Sequence, residues 1–148
     1  MKIITKEWLQ EVDACPLAVT AGLKHFGEKA SYDTAKVIDW LEKEKKFGWG
    51  CWLLPRLMTH TQQVQFAIFA AELVIDIFEK QYPDDKLLPV RPRQAIDAAK
   101  EFLKNPTEEN RSSARYATSA SFAAGYASSD AILRQCFQFG RKLLGGRK

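Results

Sequence analysis

Residues 111–144, RSSARYATSASFAAGYASSDAILRQCFQFGRKLL, decide the fold that the sequence predicts. Small side chains recur there at alternating spacings of three and four, which places them on one narrow stripe of a helix at about 100° per residue. A second stripe on the opposite side is aromatic and apolar: Phe122, Tyr126, Leu133 and Phe137. A helix with one flat side and one aromatic side is normally buried on both. We therefore expect a long Ala/Ser-rich C-terminal helix at the centre of an all-α bundle.

Length and composition predict one globular domain. The chain has 148 residues, of which 46% are hydrophobic and 27% are charged, and these are ordinary proportions for a protein that buries its own core. We expect residues 1–144 to form a single compact all-helical domain. We expect residues 145–148, which begin with two glycines and carry Arg147 and Lys148, to form a flexible basic tail.

The apolar segments are too short to cross a membrane. The richest one, residues 66–78, is interrupted by Glu72 and Asp76, and no run approaches the roughly 20 apolar residues that span a bilayer. These two acids are four positions apart, but no Glu-x-x-His motif accompanies them, so we expect the polar face of a helix and not a di-iron site. The first residues lack the apolar core of a signal peptide, which predicts a cytoplasmic protein.

Capping residues, prolines and glycines divide the first half of the chain into helices. Thr5 caps a short first helix, and Pro16 opens a second helix that Gly27 ends. Ser31 or Asp33 starts a third helix. The predicted face of the second helix consists of Leu17, Thr20, Ala21 and Lys24, which lie a turn apart.

The middle of the chain continues this pattern. Gly48 is the predicted end of the third helix, after a cation-rich last turn that suits the helix dipole. The aromatic segment 48–55 predicts a short buried helix, and residues 64–82 carry the strongest helical periodicity of the middle region. Pro92 fits the first turn of the next helix, and Asn105 caps the start of another. Residues 2–5 are the one stretch with a β-type pattern, so we expect six or seven helices.

Cysteines and histidines form no recognisable metal or catalytic pattern. Cys15, Cys51 and Cys136 are far apart in the sequence and make no CxxC pair, so we expect buried, reduced thiols. His25 and His60 occupy helix-end positions that suit exposed polar residues, and their spacing matches neither a zinc site nor a Cys/His nucleophile. We therefore expect no metal, no cofactor and no enzymatic activity.

The net charge of +4 leaves two interpretations open. Basic residues concentrate toward the end of the chain, but others are dispersed and partly compensated by neighbouring acids. One interpretation is a solvated surface with a basic tail, and the other is a patch that binds nucleic acid. The C-terminal candidates for such a patch are Arg134, Arg141, Lys142, Arg147 and Lys148.

Two short segments resemble the signature of a known family. Residues 82–86 read YPDDK, and residues 91–99 read RPRQAIDAA, with LLPV between the two at 87–90. Together they resemble a motif of the Imm5-like immunity proteins, small all-helical proteins of bacterial toxin–immunity loci and phages, in which Tyr-Pro-Asp-Asp runs directly into Arg-Pro-Arg. Residues 13–54 are similar to the N-terminal half of that family. The resemblance implies a binding protein that neutralises another macromolecule.

The charged residues of this motif have two interpretations. In the first, Asp84 and Asp85 pair with arginines across the loop and fix a connection between two helices. In the second, these groups contact a partner from a loop that its prolines make rigid. The arginines concerned are Arg91 and Arg93.

Two further features are open to a structural and a functional interpretation. Trp49 and Trp52 are core residues or, if they lie at a surface, partner-binding residues. The small stripe packs against the helix at 64–82, forms the seam of a homodimer, or receives a helix of another protein. Its members are Ala114, Ala117, Ser121, Ala124, Ser128 and Ala131.

These observations favour a non-enzymatic inhibitor or immunity-type protein of a phage or bacterium. It would neutralise a toxin or host-defence protein by occluding its functional surface, and an anti-defence role is a variant of the same mechanism. The alternatives are a nucleic-acid-associated accessory protein that uses the basic C-terminal region, and a structural homo-oligomer.

Overall fold

The computed structural model describes residues 3–81, 92–107 and 129–145 of the chain. Within these ranges the protein is a bundle of seven α-helices without a β-strand, which confirms the predicted all-α class. The expected β-type stretch is reduced to one antiparallel bridge between Ile4 and Tyr32. The helices are α1 Lys6–Glu11, α2 Pro16–Phe26, α3 Thr34–Lys43, α4 Phe47–Leu57, α5 His60–Gln81, α6 Pro92–Lys104 and α7 Asp130–Leu143.

The first three helices begin at the residues that the sequence predicts. The Thr5 side chain accepts a hydrogen bond from the Trp8 backbone N–H at 3.1 Å, and an Asp33 carboxylate oxygen accepts one from the Lys36 N–H at 3.0 Å. Both bonds satisfy a donor that the first turn of a helix leaves unpaired. Pro16 stands in the first turn of α2, and Gly27 ends that helix with a φ of 73°.

The end of α3 differs from the prediction. The chain reverses at Lys45, which has a φ of 54°, and Gly48 lies inside α4. The Lys46 N–H donates to the Leu41 carbonyl at 2.8 Å and the Lys45 N–H donates to the Glu42 carbonyl at 3.1 Å. This hydrogen-bond pair is the motif that closes many helices, here with lysine at the left-handed position where glycine is usual. The predicted stop at Gly48 is therefore wrong by three residues.

The main core lies where α4, α5 and α7 cross. Phe137 of α7 and Leu54 of α4 are completely buried there. A Cβ atom added to Gly50 would lie 2.2 Å from two ring carbons of Phe137, and one added to Gly140 would lie 2.8 Å from the ring of Phe66. The two glycines therefore let the aromatic rings lie directly on the helix backbones. Burying a ring of this kind stabilises the fold by about 1.5–3 kcal/mol.

A second core joins α5 to α6. Its buried members are Val64, Ile68, Ala71, Ile75, Ala95, Ile96 and Ala99. Ion pairs border it, with Lys100 Nζ 2.6 Å from a Glu72 carboxylate oxygen and Arg93 Nη2 2.8 Å from one of Asp76. Glu72 and Asp76 are exposed and face α6, which confirms that they form the polar face of their helix.

The predicted helix over residues 111–144 is interrupted. Ser129 is extended, with φ −62° and ψ 157°, and it precedes the first turn of α7. Serine is a preferred residue at the position just before a helix. An acid such as Asp130 is preferred in the first turn. Residues 108–128 lie outside the described residues. The predicted positions of Ala114, Ala117, Ser121, Ala124 and Ser128, the homodimer seam among them, are therefore not described by the structure.

None of the described helices is long and apolar enough to cross a membrane.

Candidate functional site

A groove of about 820 Å³ separates α2 from the core formed by α4, α5 and α7. Its walls are made almost entirely of apolar and aromatic side chains. Among the described residues that line it, only Lys6 and Arg56 carry a full charge. We call this feature the α2 groove. It is a concave apolar site with few polar groups, which is the usual form of a ligand-binding site.

Helix α2 forms the outer wall of the groove. Its inward stripe has helical spacing and consists of Cys15 just before the helix, then Ala18, Val19, Gly22, Leu23 and Phe26. None of the residues of α2 is buried, and a Cβ added to Gly22 would meet nothing within 4 Å. Small residues at 18 and 22 thus leave the groove empty. Leu17, Thr20 and Lys24, which lie a turn apart, are on the exposed side of α2, and Leu17 is 75% exposed.

Trp49 and Trp52 of α4 lie on the inner wall, and both are half-buried. The guanidinium carbon of Arg56 stands 3.8 Å from the ring centre of Trp52, and Nη1 of the same arginine donates to the Trp52 carbonyl oxygen at 2.7 Å. Burial lowers the pKa of Arg56, but arginine stays protonated at neutral pH. The inner wall therefore presents rigid aromatic surface and one cation that is held in place by stacking.

The three cysteines all line this groove, although they are distant in the sequence. Cys136 is buried and Cys51 is half-buried, but Cys15 is exposed, so the expectation of three buried thiols is wrong for Cys15. Cys15 precedes α2 and lies on the outer wall of the groove. The Cys51 Sγ donates a hydrogen bond to the Leu133 carbonyl oxygen at 3.3 Å.

Cys51 and Cys136 each change the acidity of the other. The pKa of the Cys51 thiol is raised, first by its hydrogen bond to Cys136 and then by burial. The same hydrogen bond lowers the pKa of Cys136, because it stabilises the thiolate. Cys136 is therefore the member of the pair that ionises first.

Three of the predicted basic residues, Arg134, Arg141 and Lys142, lie on α7, and Arg147 and Lys148 lie outside the described residues. Arg141 is bound by carboxylate oxygens of Asp39 and Glu42, so it links α7 to α3. Arg134 and Lys142 are exposed on α7. The role of Arg141 in the described residues is thus to hold two helices together.

The described part of the predicted Asp/Arg motif is Arg93. Its Nε lies 2.7 Å from a Glu79 carboxylate oxygen, and its Nη2 contacts Asp76, so both of these partners belong to α5. Both acids raise the pKa of Arg93, and Glu79 raises it more than Asp76 does. The other three members, Asp84, Asp85 and Arg91, lie outside the described residues, and the predicted pairing across the loop stays a prediction.

Both histidines are exposed and stack against aromatic rings. His25 lies face to face with Trp40 at a centroid distance of 5.3 Å, and His60 meets the edge of Phe102 at 5.5 Å. Within residues 3–81, 92–107 and 129–145, no three His, Cys, Asp or Glu side chains converge where they could hold a metal ion.

Sequence reasoning found two residues of this site, Trp49 and Trp52, and missed the groove itself. The spacing of positions 15, 18, 19, 22, 23 and 26 was the available signal, since it is the i, i+3, i+4, i+7 pattern of a helix face. The contact between Cys51 and Cys136 had no sequence signal, because it arises from the crossing of two helices that are distant in the chain.

Comparison with known proteins adds no relative. The chain matches no protein-family model, no curated protein and no solved structure. The resemblance of residues 82–86 and 91–99 to the Imm5-like immunity proteins therefore stays a prediction.

Proposed function

We propose that this protein is a non-enzymatic inhibitor that binds a partner protein and covers the partner's functional surface. In this proposal an apolar segment of the partner enters the α2 groove. The observation that carries the proposal is the groove itself, about 820 Å³ of apolar space between α2 and the core. A folded protein that leaves such a volume empty has surface to offer to a ligand.

A protein segment suits the groove better than an isolated small molecule does. The walls are helices, as in proteins that receive an amphipathic helix in an apolar groove. The lining is apolar over most of its extent, which suits the apolar face of an amphipathic segment. Trp49 and Trp52 are half-buried on the inner wall, and tryptophan is enriched among the residues that dominate protein–protein affinity.

The class of partner follows from the resemblance in residues 82–86 and 91–99. Immunity proteins of this kind act by binding, so the proposed target is a toxin or a host-defence protein in a phage or bacterial setting. Cytoplasmic location belongs to the same proposal, since such a target acts inside the cell.

The test is an affinity capture from host lysate with three matched proteins. Gly22→Leu and Ala18→Glu place a bulky or charged group in the groove, while Thr20→Leu makes a similar change on the exposed side of α2. The wash contains nuclease and about 0.5 M salt, at which the Debye length is roughly 4 Å. We expect the wild-type protein and Thr20→Leu to retain one stoichiometric partner, and the two groove variants to lose it.

Activity of the captured partner completes the test. Purified partner should lose activity in proportion to added wild-type protein and keep it when Gly22→Leu is added. Retention of the partner by both groove variants, with unchanged circular dichroism, would exclude the groove as the binding surface.

A nucleic-acid role is the second candidate, and Arg134 and Lys142 support it because both are exposed on α7. Arg141 supports it less, since Asp39 and Glu42 already neutralise that residue. Salt distinguishes the candidates, because the logarithm of a phosphate-driven binding constant falls by about 0.9 per contact for each decade of salt. Bound material that disappears with nuclease or salt would favour this second candidate.

A further inference from the structure

The closest approach of α4 to α7 places two thiols together. Cys51 follows Gly50 on α4, and Cys136 precedes Phe137 on α7. The ring of Phe137 lies so near the backbone of Gly50 that an added Cβ would meet it at 2.2 Å. The neighbouring positions are therefore held at short range by the packing of the core.

The thiol contacts agree with this geometry. The Cys51 Sγ donates to the carbonyl oxygen of Leu133, which lies one turn before Cys136 on α7, at 3.3 Å. The two thiols also change each other's acidity: Cys136 raises the pKa of Cys51, and Cys51 lowers the pKa of Cys136. A disulfide requires two cysteines whose side chains face each other at short range. The crossing of α4 and α7 brings the Cys51 sulfur within hydrogen-bond distance of the turn of α7 that precedes Cys136.

A small oxidant has a route to the pair. Cys51 and Cys136 both line the α2 groove, whose volume of about 820 Å³ is far larger than a peroxide molecule. Within the described ranges, the side chains supply no third metal ligand, so the arrangement suits a two-thiol reaction and not a metal site. The proposed function does not use either thiol.

We propose that Cys51 and Cys136 form an oxidisable dithiol that closes to an intramolecular disulfide when hydrogen peroxide enters the α2 groove. The reaction joins α4 to α7 covalently inside the core. It is independent of the identity of the protein partner.

The chemistry takes two steps. In the first, the Cys136 thiolate attacks one oxygen of the peroxide, the O–O bond breaks, and the leaving hydroxide takes up the thiol proton to give water and a sulfenic acid. In the second, the Cys51 sulfur attacks the Cys136 sulfur, the S–O bond breaks, and the leaving hydroxide takes the Cys51 proton as a second water. Two thiols are oxidised by two electrons in total, and one peroxide is reduced to two waters.

The test uses the full chain, first reduced and then treated with hydrogen peroxide. Free thiols are blocked with N-ethylmaleimide, and intact mass and peptide mapping follow. We expect a monomer that has lost the mass of two hydrogen atoms, carries one maleimide on Cys15, and yields a linked Cys51–Cys136 peptide that dithiothreitol releases. Cys15→Ser should form the same bond, because Cys15 is exposed and apart from the pair.

Two more measurements distinguish a reaction specific to this thiol pair in the folded protein from non-specific thiol oxidation. Cys51→Ser should leave a sulfenic acid on Cys136 that dimedone traps, provided that circular dichroism shows the variant to be folded. In the wild-type chain unfolded by urea, the preference for the Cys51–Cys136 bond over bonds to Cys15 should disappear. Oxidation confined to Cys15, or maleimide on all three cysteines after peroxide, would overturn the proposal.

Discussion

Helices α7 and α2 both border the α2 groove, but they pack in opposite ways. On α7, Phe137 is completely buried, and its ring leaves no room for a Cβ at Gly50. On α2 no side chain is buried, and Gly22 faces open space. The first region has the density of an ordinary protein interior, and the second lacks it.

This difference separates stability from recognition. Binding elements are drawn from the less stable parts of a fold, because they must adapt to a ligand. The packing where α4, α5 and α7 cross therefore determines the free energy of unfolding. Helix α2 forms an adaptable wall of the α2 groove. Substitutions in the two regions should differ accordingly.

The largest expected effect is that of Phe137→Ala. Removal of a fully buried ring should lower the free energy of unfolding by about 3–5 kcal/mol, because the rigid crossing collapses only partly into the cavity. The matched variant in the other region is Leu17→Ala, which removes an exposed side chain and should change stability by less than about 0.5 kcal/mol. Urea unfolding followed by circular dichroism measures both. Equal losses in the two variants would contradict the contrast between the regions.

Gly50→Ala tests the close approach directly. The new methyl group would lie 2.2 Å from the Phe137 ring, so one helix must shift, and we expect a loss of roughly 2–3 kcal/mol. Gly48→Ala is the control in the same helix, since a Cβ there meets nothing within 4 Å. It should gain about 0.5–1 kcal/mol from the higher helix propensity of alanine. Both values come from thermal unfolding, and the same sign for the two variants would refute the packing argument.

Arg141→Gln measures how strongly α7 is tied to α3. The arginine is bound by Asp39 and Glu42, all three groups are partly exposed, and we expect a loss of about 1 kcal/mol or less. Arg134→Gln removes an exposed charge from the same helix and should be nearly neutral. The difference between the two variants should shrink at high salt, because ions screen exposed pairs. A difference that does not depend on salt would point to packing of the arginine stem.

The smallest expected effect is a gain in stability by Lys45→Gly. Lys45 has a φ of 54°, a conformation that costs a residue with a Cβ about 1–2 kcal/mol. Glycine removes this strain but loses more backbone entropy on folding, so the net gain should be about 0.5–1 kcal/mol. Lys46→Gly, at a φ of −85°, should give no gain. Chemical denaturation at matched conditions would show whether the two substitutions differ in sign.

Sequence reasoning succeeded where a local signal decides the structure. Thr5, Asp33 and Pro16 begin helices because their own side chains satisfy or remove backbone donors, and this needs no distant contact. The apolar periodicity of residues 64–82 likewise identified α5. The all-α class follows from such signals alone.

Sequence reasoning failed where contacts between distant parts of the chain decide the structure. Which side of α2 faces the core depends on contacts with distant helices, so the stripe of α2 that lines the groove was not identified from the sequence. The turn at Lys45 that follows α3 was missed because its hydrogen bonds outweigh the preference for glycine. Of the candidate site, the tryptophans were found from their residue type, whereas the groove and the thiol pair depend on how α4 and α7 cross.

The place of Phe137 in the chain has a consequence for synthesis. Cys51 on α4 bonds to a carbonyl of α7 that lies 82 positions further along, so the main core is assembled from parts that leave the ribosome far apart in time. Until α7 emerges, the apolar faces of α4 and α5 are not covered by it and are exposed to other chains. Folding of this core is therefore a late event, and nascent protein should depend on chaperones that shield apolar surface during translation.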